Sequence, residues 1–143
     1  MEIFVRQMKV EDSKSVNQLS AQLGYPLSLE ETRENIAHVL ASENDDAYVA
    51  LHNDKIVGWI GLSRAVLIEM VSYCEINGLV VDEKYRGLGV GKMLIEKAAR
   101  WGKERGNDKL RLRCNVVRTK THLFYQHLGF HEVKQQKVFE INI

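Results

Sequence analysis

Between Tyr85 and Met93 the chain reads Arg-Gly-Leu-Gly-Val-Gly-Lys, with glycine at positions 87, 89 and 91 and a cation at each end, Arg86 and Lys92. Backbone that bare curls tightly and turns successive N–H groups toward one side. The segment also follows an apolar run and precedes a helical one, so the amides meet a helix N-terminus carrying about half a unit of positive charge. The chemistry this implies is the grip of a phosphate or diphosphate by the main chain of Arg86, Gly87, Leu88, Gly89, Val90, Gly91 and Lys92. Two familiar phosphate motifs fail on spacing. A P-loop needs glycine where Arg86 stands and a hydroxyl where Met93 stands, and the dinucleotide fingerprint needs glycine at Lys92. Lys92 in a first helical turn opposes the helix dipole unless an anion lies near it. Arg118 and Lys120 flank the start of a later helix in the same way, so two helix N-termini are expected to face anionic groups.

The remaining reactive side chains are sparser. His122 and His127 are five positions apart and do not share a helical face, and no carboxylate completes a metal triad, so no metal is expected. Cys74 and Cys114 lack a CxxC spacing and sit in strand patterns, where small buried residues are common.

The elements that must position these groups follow from periodicity. "EIFVRQM" reads as a strand, and Asp12 is placed to cap a helix bearing Val16, Leu19 and Leu23 that Gly24 and Pro26 stop. Ser28 with Glu31 forms a capping box for a second helix carrying Ile36, Val39 and Leu40. The acidic "SENDD" then reads as a solvated loop, and "AYVALHNDKIVGWIGL" as a hairpin turning at Asn53-Asp54. Residues 63 to 71 fit either strand or loop. "YCEINGLVV" reads as a buried central strand ending at Val81, and its glycine, Gly78, is a bulge signal or a point of close packing. After the glycine segment, Leu94, Ile95, Ala98 and Trp101 share a helical face, and "KLRLRCN" alternates as a strand, so the middle of the chain is a right-handed βαβ unit with parallel strands. A helix over "TKTHLFYQHL" and closing strands in "HEVKQQKVFEINI" complete the pattern.

Composition bounds the rest. With 143 residues and 45% hydrophobic content the chain supports one core. The 20 Lys and Arg against 19 Asp and Glu give a formal charge of +1, which excludes the broad basic footprint of a nucleic-acid or membrane-surface binder. No signal pattern or membrane-length apolar run stands out. A cytoplasmic protein with reduced cysteines is expected, with neither nucleic acid nor membrane as partner.

The stretches "INGLVVDEKYRGLGVGKMLIEKAARWGKERG" and "LRLRCNVVRTKTHLFYQHLGF" resemble the GNAT superfamily of acyl-CoA-dependent N-acetyltransferases. The family signature, R/Q-x-x-G-x-G/A after a central strand, is met at Arg86, Gly89 and Gly91, and its second block at Phe124, Tyr125, Gly129 and Phe130. The chain departs at Arg118 and Thr121, where members often carry Asn and Ala, although a subgroup shares Arg followed by His. The resemblance implies a single α/β domain over residues 1–143. Its central mixed sheet would have antiparallel N-terminal strands and a parallel splayed pair in the middle, with helices on both faces. It further implies acetyl-CoA as acyl donor, lying beside the backbone of Leu79, Val80 and Val81, and a small-molecule amine as acceptor. Tyr125 falls where the family places a general acid, Glu75 where some members place a catalytic glutamate, and Tyr25, Glu30 and Glu31 where acceptors are shaped. A homodimer is compatible with the family. Two other readings keep the same loop: a non-catalytic acyl-CoA sensor and a nucleotide-binding module.

Overall fold

Five strands build one mixed sheet in the order β1 (Phe4–Gln7), β2 (Asp45–His52), β3 (Lys55–Ala65), β4 (Tyr73–Val81) and β5 (Leu110–Leu112). The first four pair antiparallel, and β4 pairs parallel with β5. A computed structural model describes every residue from Met1 to Ile143, divided into two compact units, Met1–Arg113 and Cys114–Ile143. The first unit holds the whole sheet with α1 (Ser13–Ala21), α2 (Leu29–Ala41) and α3 (Val90–Glu104); the second holds α4 (Thr119–His127).

Alternation along β3 separates the two faces of the sheet. Gly58 lies under α3, where an added Cβ would come within 3.1 Å of Val90 Cγ1 and 3.3 Å of Leu94 Cδ1. Trp59, the next residue, packs on the other side with Val16 of α1 and Ile36 of α2, in a cluster that also includes Met8, Ala47 and Val49. Helices therefore cover both faces. On α3 the predicted stripe is the buried one: Val90, Leu94, Ile95, Ala98 and Trp101 are all core residues. Each large side chain so buried contributes about 1.5–3 kcal/mol relative to exposure. The β2–β3 turn uses Asn53 and Asp54 at φ 48° and 64°, the left-handed pair that a two-residue hairpin requires.

Three expectations are corrected. Asp12 stands just before α1 but makes no cap hydrogen bond to it; its carboxylate accepts from Arg6 at 2.8 and 3.0 Å and from the Lys9 N–H at 2.8 Å, closing a 3-10 turn over Val10–Asp12 instead. The acidic loop is shorter than its charge suggested, because Asp45 and Asp46 open β2 and Asp46 is buried. Four donors to its carboxylate compensate that burial: the Tyr48 hydroxyl (2.9 Å), Trp101 Nε1 (3.1 Å), Gln7 Nε2 (2.9 Å) and the Ala47 N–H (2.9 Å). Residues 131–143 form no strand, and Val133, Val138, Phe139, Ile141 and Ile143 are exposed. Alternation marks a chain suited to a ladder, but a strand exists only through hydrogen bonds to a partner. The ambiguous stretch from 63 resolves as the end of β3 through Ala65, followed by turn and irregular chain up to Tyr73.

Candidate functional site

The approach to the glycine segment is pinned from several sides. The Asp82 N–H donates to the Val57 carbonyl (2.8 Å), the Glu83 N–H to Gln22 Oε1 (3.1 Å), and the Lys84 N–H to Asp82 Oδ1 (3.1 Å), while the Tyr85 hydroxyl lies 3.2 Å from His52 Nδ1. Past Tyr85 this ends. Arg86 to Gly89 form a turn, and no N–H from Arg86 to Lys92 makes a well-formed hydrogen bond to a main-chain carbonyl; the next that does is Met93, to Gly89 O at 3.1 Å. Gly87 and Gly89 adopt φ 76° and 85°, and Gly89 occupies the N-cap of α3 without a side chain to satisfy the first turn. A Cβ at either glycine would meet nothing within 4 Å. The need for glycine is therefore conformational, and the space around both positions is open. Amides so placed at a helix N-terminus are suited to accepting an anion.

Strand β4 supplies the second half of the arrangement. Its ladder with β5 runs Cys74 with Leu110, Glu75 with Arg111 and Ile76 with Leu112, then stops. One residue further on, β4 bulges against β3: Gly61 faces Gly78 and Leu62 faces Ile76, leaving Asn77 as the extra residue. From Asn77 to Val81 the β4 backbone thus has a partner on the β3 side only, and this free edge contains Leu79, Val80 and Val81. Asn77 Nδ2 donates to Ser63 Oγ at 2.5 Å, and Ser63 in turn donates to Asp45 Oδ1 at 2.5 Å, a side-chain chain across three strands at the level of the bulge. Gly78 serves both of its sequence readings. It borders the bulge, and it also admits the indole of Trp59, whose Cη2 would stand 2.7 Å from an added Cβ.

Glu75 is half-buried on the face turned away from α3, its side chain 16% exposed, with Oε1 3.3 Å from Arg113 Nη1. The acceptor candidates near α2 are more ordinary. Ser28 caps α2 as expected, accepting from the Glu31 N–H at 3.1 Å, but the box is incomplete, because Glu31 Oε1 accepts from the Ser28 hydroxyl (2.9 Å) and not from its backbone N–H. Glu30 pairs with Arg33 at 3.2 Å, and Tyr25 is 58% exposed in the α1–α2 connection. Both glutamates thus have structural employment at the start of a helix.

In the second unit, Arg118 stands at the N-cap of α4 and Lys120 in its first turn, which contains no acidic residue, and both are exposed. Tyr125 packs edge-on against Phe124 and Phe130, with ring centroids 5.3 and 5.7 Å away, and its carbonyl accepts from the Phe130 N–H (3.1 Å) where Gly129, at φ 99°, turns the chain out of the helix. Burial pushes the phenol above its usual pKa, with Cys114 adding to the rise and Arg118 opposing it. The hydroxyl therefore stays protonated throughout the neutral range, as a proton donor must. No group of three or more His, Cys, Asp or Glu side chains is placed to hold a metal ion, and no helix is long and apolar enough to cross a membrane.

Sequence reasoning missed the Asp45–Ser63–Asn77 chain, which depends on the register of three strands. It also missed Arg111, whose alternation with Leu110 and Leu112 indicated a strand without revealing what the guanidinium would meet.

The profile of the Acetyltransferase (GNAT) family matches residues 14–130. An uncharacterized N-acetyltransferase of Methanocaldococcus jannaschii is 32% identical over 96 residues, a match spanning 66% of this chain and 42% of that protein. An uncharacterized N-acetyltransferase of Chlorobaculum tepidum is 25% identical over 133 residues, covering 92% of this chain and 77% of that one. Among solved structures, AAC(6')-Iy in complex with the bisubstrate analogue CoA-S-monomethyl-acetylneamine superposes with a TM-score of 0.89 over 100% of both chains at 19% identity, a likeness of fold.

Proposed function

The chain belongs to the Acetyltransferase (GNAT) family, and on that premise we propose that it transfers an acetyl group from acetyl-CoA to the primary amine of a small polar molecule by direct attack. The observation that carries the reading is the run of unengaged amides from Arg86 to Lys92 behind a pinned anchor. Those amides hold the diphosphate, and Arg118 and Lys120 add positive charge for the donor's anionic groups. The free edge of β4 after the bulge offers Leu79, Val80 and Val81 main-chain groups to the acyl-bearing arm, much as a strand would take a partner.

The reaction then needs two proton movements. An alkylamine of pKa about 10 arrives as an ammonium ion, and Glu75, directly or through water, accepts its proton. The freed nitrogen attacks the thioester carbon, the C–S bond breaks, and the departing thiolate takes a proton from the Tyr125 hydroxyl, which is replenished from solvent. Tyr125 suits this role because burial keeps its proton in place until a thiolate forms.

The test is thiol release from acetyl-CoA across a panel of primary amines. Tyr125→Phe is expected to lower kcat by roughly 10²- to 10⁴-fold, the usual worth of a positioned acid, with little change in affinity for CoA. CoA binding without turnover on any amine would make the protein a sensor of acyl-CoA. Stabilisation by ATP in place of CoA would make it a nucleotide-binding module.

A further inference from the structure

Strand β5 presents Arg111 on the face turned away from α3, Arg113 follows directly after the strand, and the structure employs the two differently. In the parallel ladder Arg111 stands opposite Glu75, so an ion pair between those two is the arrangement that cross-strand charge favours. It does not form. Glu75 pairs with Arg113 instead, at 3.3 Å, although Arg113 is 69% exposed. The Arg111 guanidinium lies over the Tyr73 ring, 4.6 Å from its centroid, and takes part in none of the protein's ion pairs. Stacking fixes the plane of a guanidinium and leaves the N–H groups at its edge free to bind in the fork geometry that suits a carboxylate or phosphate.

The position of this cation gives it a meaning. Arg111 is one residue short of the end of the β4–β5 ladder, and its cross-strand neighbour Glu75 is two residues before the bulge residue Asn77. Tyr73, Glu75, Ser63, Arg111 and Arg113 share the face opposite the one on which Cys74 meets Gly102 of α3. An amine delivered to Glu75 therefore arrives beside a half-buried guanidinium that forms no ion pair with a protein carboxylate.

We propose that Arg111 reads an anionic group on the acceptor, so that the preferred substrate is a small amine carrying a carboxylate or phosphate within a few bonds of its nitrogen. The inference rests on the acetyl-transfer reading above, which brings the amine to Glu75. It also separates this chain from an acceptor with several positive charges, whose additional ammonium groups would meet Arg111 and Arg113 on the same face.

Ethanolamine, β-alanine and O-phosphoethanolamine form a matched set that differs mainly in the group beside the amine, and neamine supplies a polycationic contrast. The wild-type protein is expected to show kcat/KM for β-alanine or O-phosphoethanolamine at least tenfold above that for ethanolamine and neamine, and whichever of the two is better identifies the anion. Arg111→Gln should remove that preference, raising KM for the anionic acceptor by roughly ten- to a hundredfold, as expected for a lost charge-assisted hydrogen bond. Its KM for acetyl-CoA and its rate with ethanolamine should stay unchanged, and Arg111→Lys, which keeps the charge without the fork, should recover part of the loss. Preference of the wild type for ethanolamine or neamine would overturn the proposal, and so would an Arg111→Gln variant slowed equally on every acceptor or raised in KM for acetyl-CoA. Calorimetric titration of β-alanine and of O-phosphoethanolamine into CoA-loaded protein gives a readout without turnover. Binding by the wild type that Arg111→Gln abolishes supports the assignment, and no binding of either compound to a protein that does bind CoA overturns it while leaving the donor site intact.

Discussion

Gly89 shows how little side-chain chemistry the proposed donor site contains. Its φ of 85° is costly for any L-residue with a Cβ, while the space around it is open. Gly89→Ala is therefore expected to act through backbone strain of about 1–2 kcal/mol, weakening CoA binding by roughly tenfold in calorimetry without a packing defect. Asp12 offers a titration test. Burial pushes its carboxyl up, but the Arg6 hydrogen bonds, the Lys9 N–H and the nearby positive charges outweigh burial and hold it below the usual carboxylate value. A depressed folded-state pKa means that the stabilisation is fully present above the unfolded value of about 3.9 and disappears as pH falls through the folded one. The difference in urea midpoint between wild type and Asp12→Asn should accordingly stay constant from neutral pH to about 5 and shrink below about 4. No shrinkage in acid would mean that Asp12 acts through packing alone.

At the scale of elements, two devices hold the proposed donor and acceptor sides in register. The first ties α3 to the sheet through Asp46, which accepts from Trp101 on the helix and from Tyr48 and Gln7 on the strands. Burial and the adjoining Asp46 carboxylate both push the Tyr48 phenol up, so it remains a donor at any ordinary pH. Asp46→Ala would strand those donors in the interior, with an expected loss of about 2–3 kcal/mol in chemical denaturation; a loss within measurement error would show that water replaces the carboxylate. The second device is the bulge of β4, buttressed by Trp59 over Gly78 and by the Asn77–Ser63–Asp45 chain. A Cβ at Gly78 would stand 2.7 Å from the indole, so Gly78→Ala forces Trp59 to move. Its kcat in thiol release is expected to fall more than its affinity for CoA, because the proposed diphosphate cradle lies on a different element; equal losses would place the bulge in structural support alone.

For the molecule as a whole, the donor reading makes a prediction that needs no acceptor. CoA at about a hundred times its dissociation constant should stabilise the folded chain by roughly 2.7 kcal/mol, visible as a rise in the thermal midpoint, while ATP should do far less. The near balance of charge, with 20 basic against 19 acidic residues, means that such selectivity would have to come from the proposed local cradle and not from a general field.

What the sequence determined by itself was local and periodic. The glycines at 87, 89 and 91, the apolar stripe of α3, the Asn53-Asp54 turn and the Ser28 cap of α2 each depend on residues a few positions apart, and physics at that range is written in the order of the chain. Tertiary structure decided whatever depended on partners far along it. Asp46 reads as solvated until Trp101, 55 residues away, donates to it. The tail reads as strand until no ladder partner is found for it. Arg111 and Arg113 look equivalent until the fold pairs Glu75 with Arg113, although the ladder sets Arg111 opposite it, and lays Arg111 on Tyr73. The reason is common to all three: burial, pairing and charge compensation are properties of neighbours in space, and strand register, which no single segment encodes, assigns those neighbours.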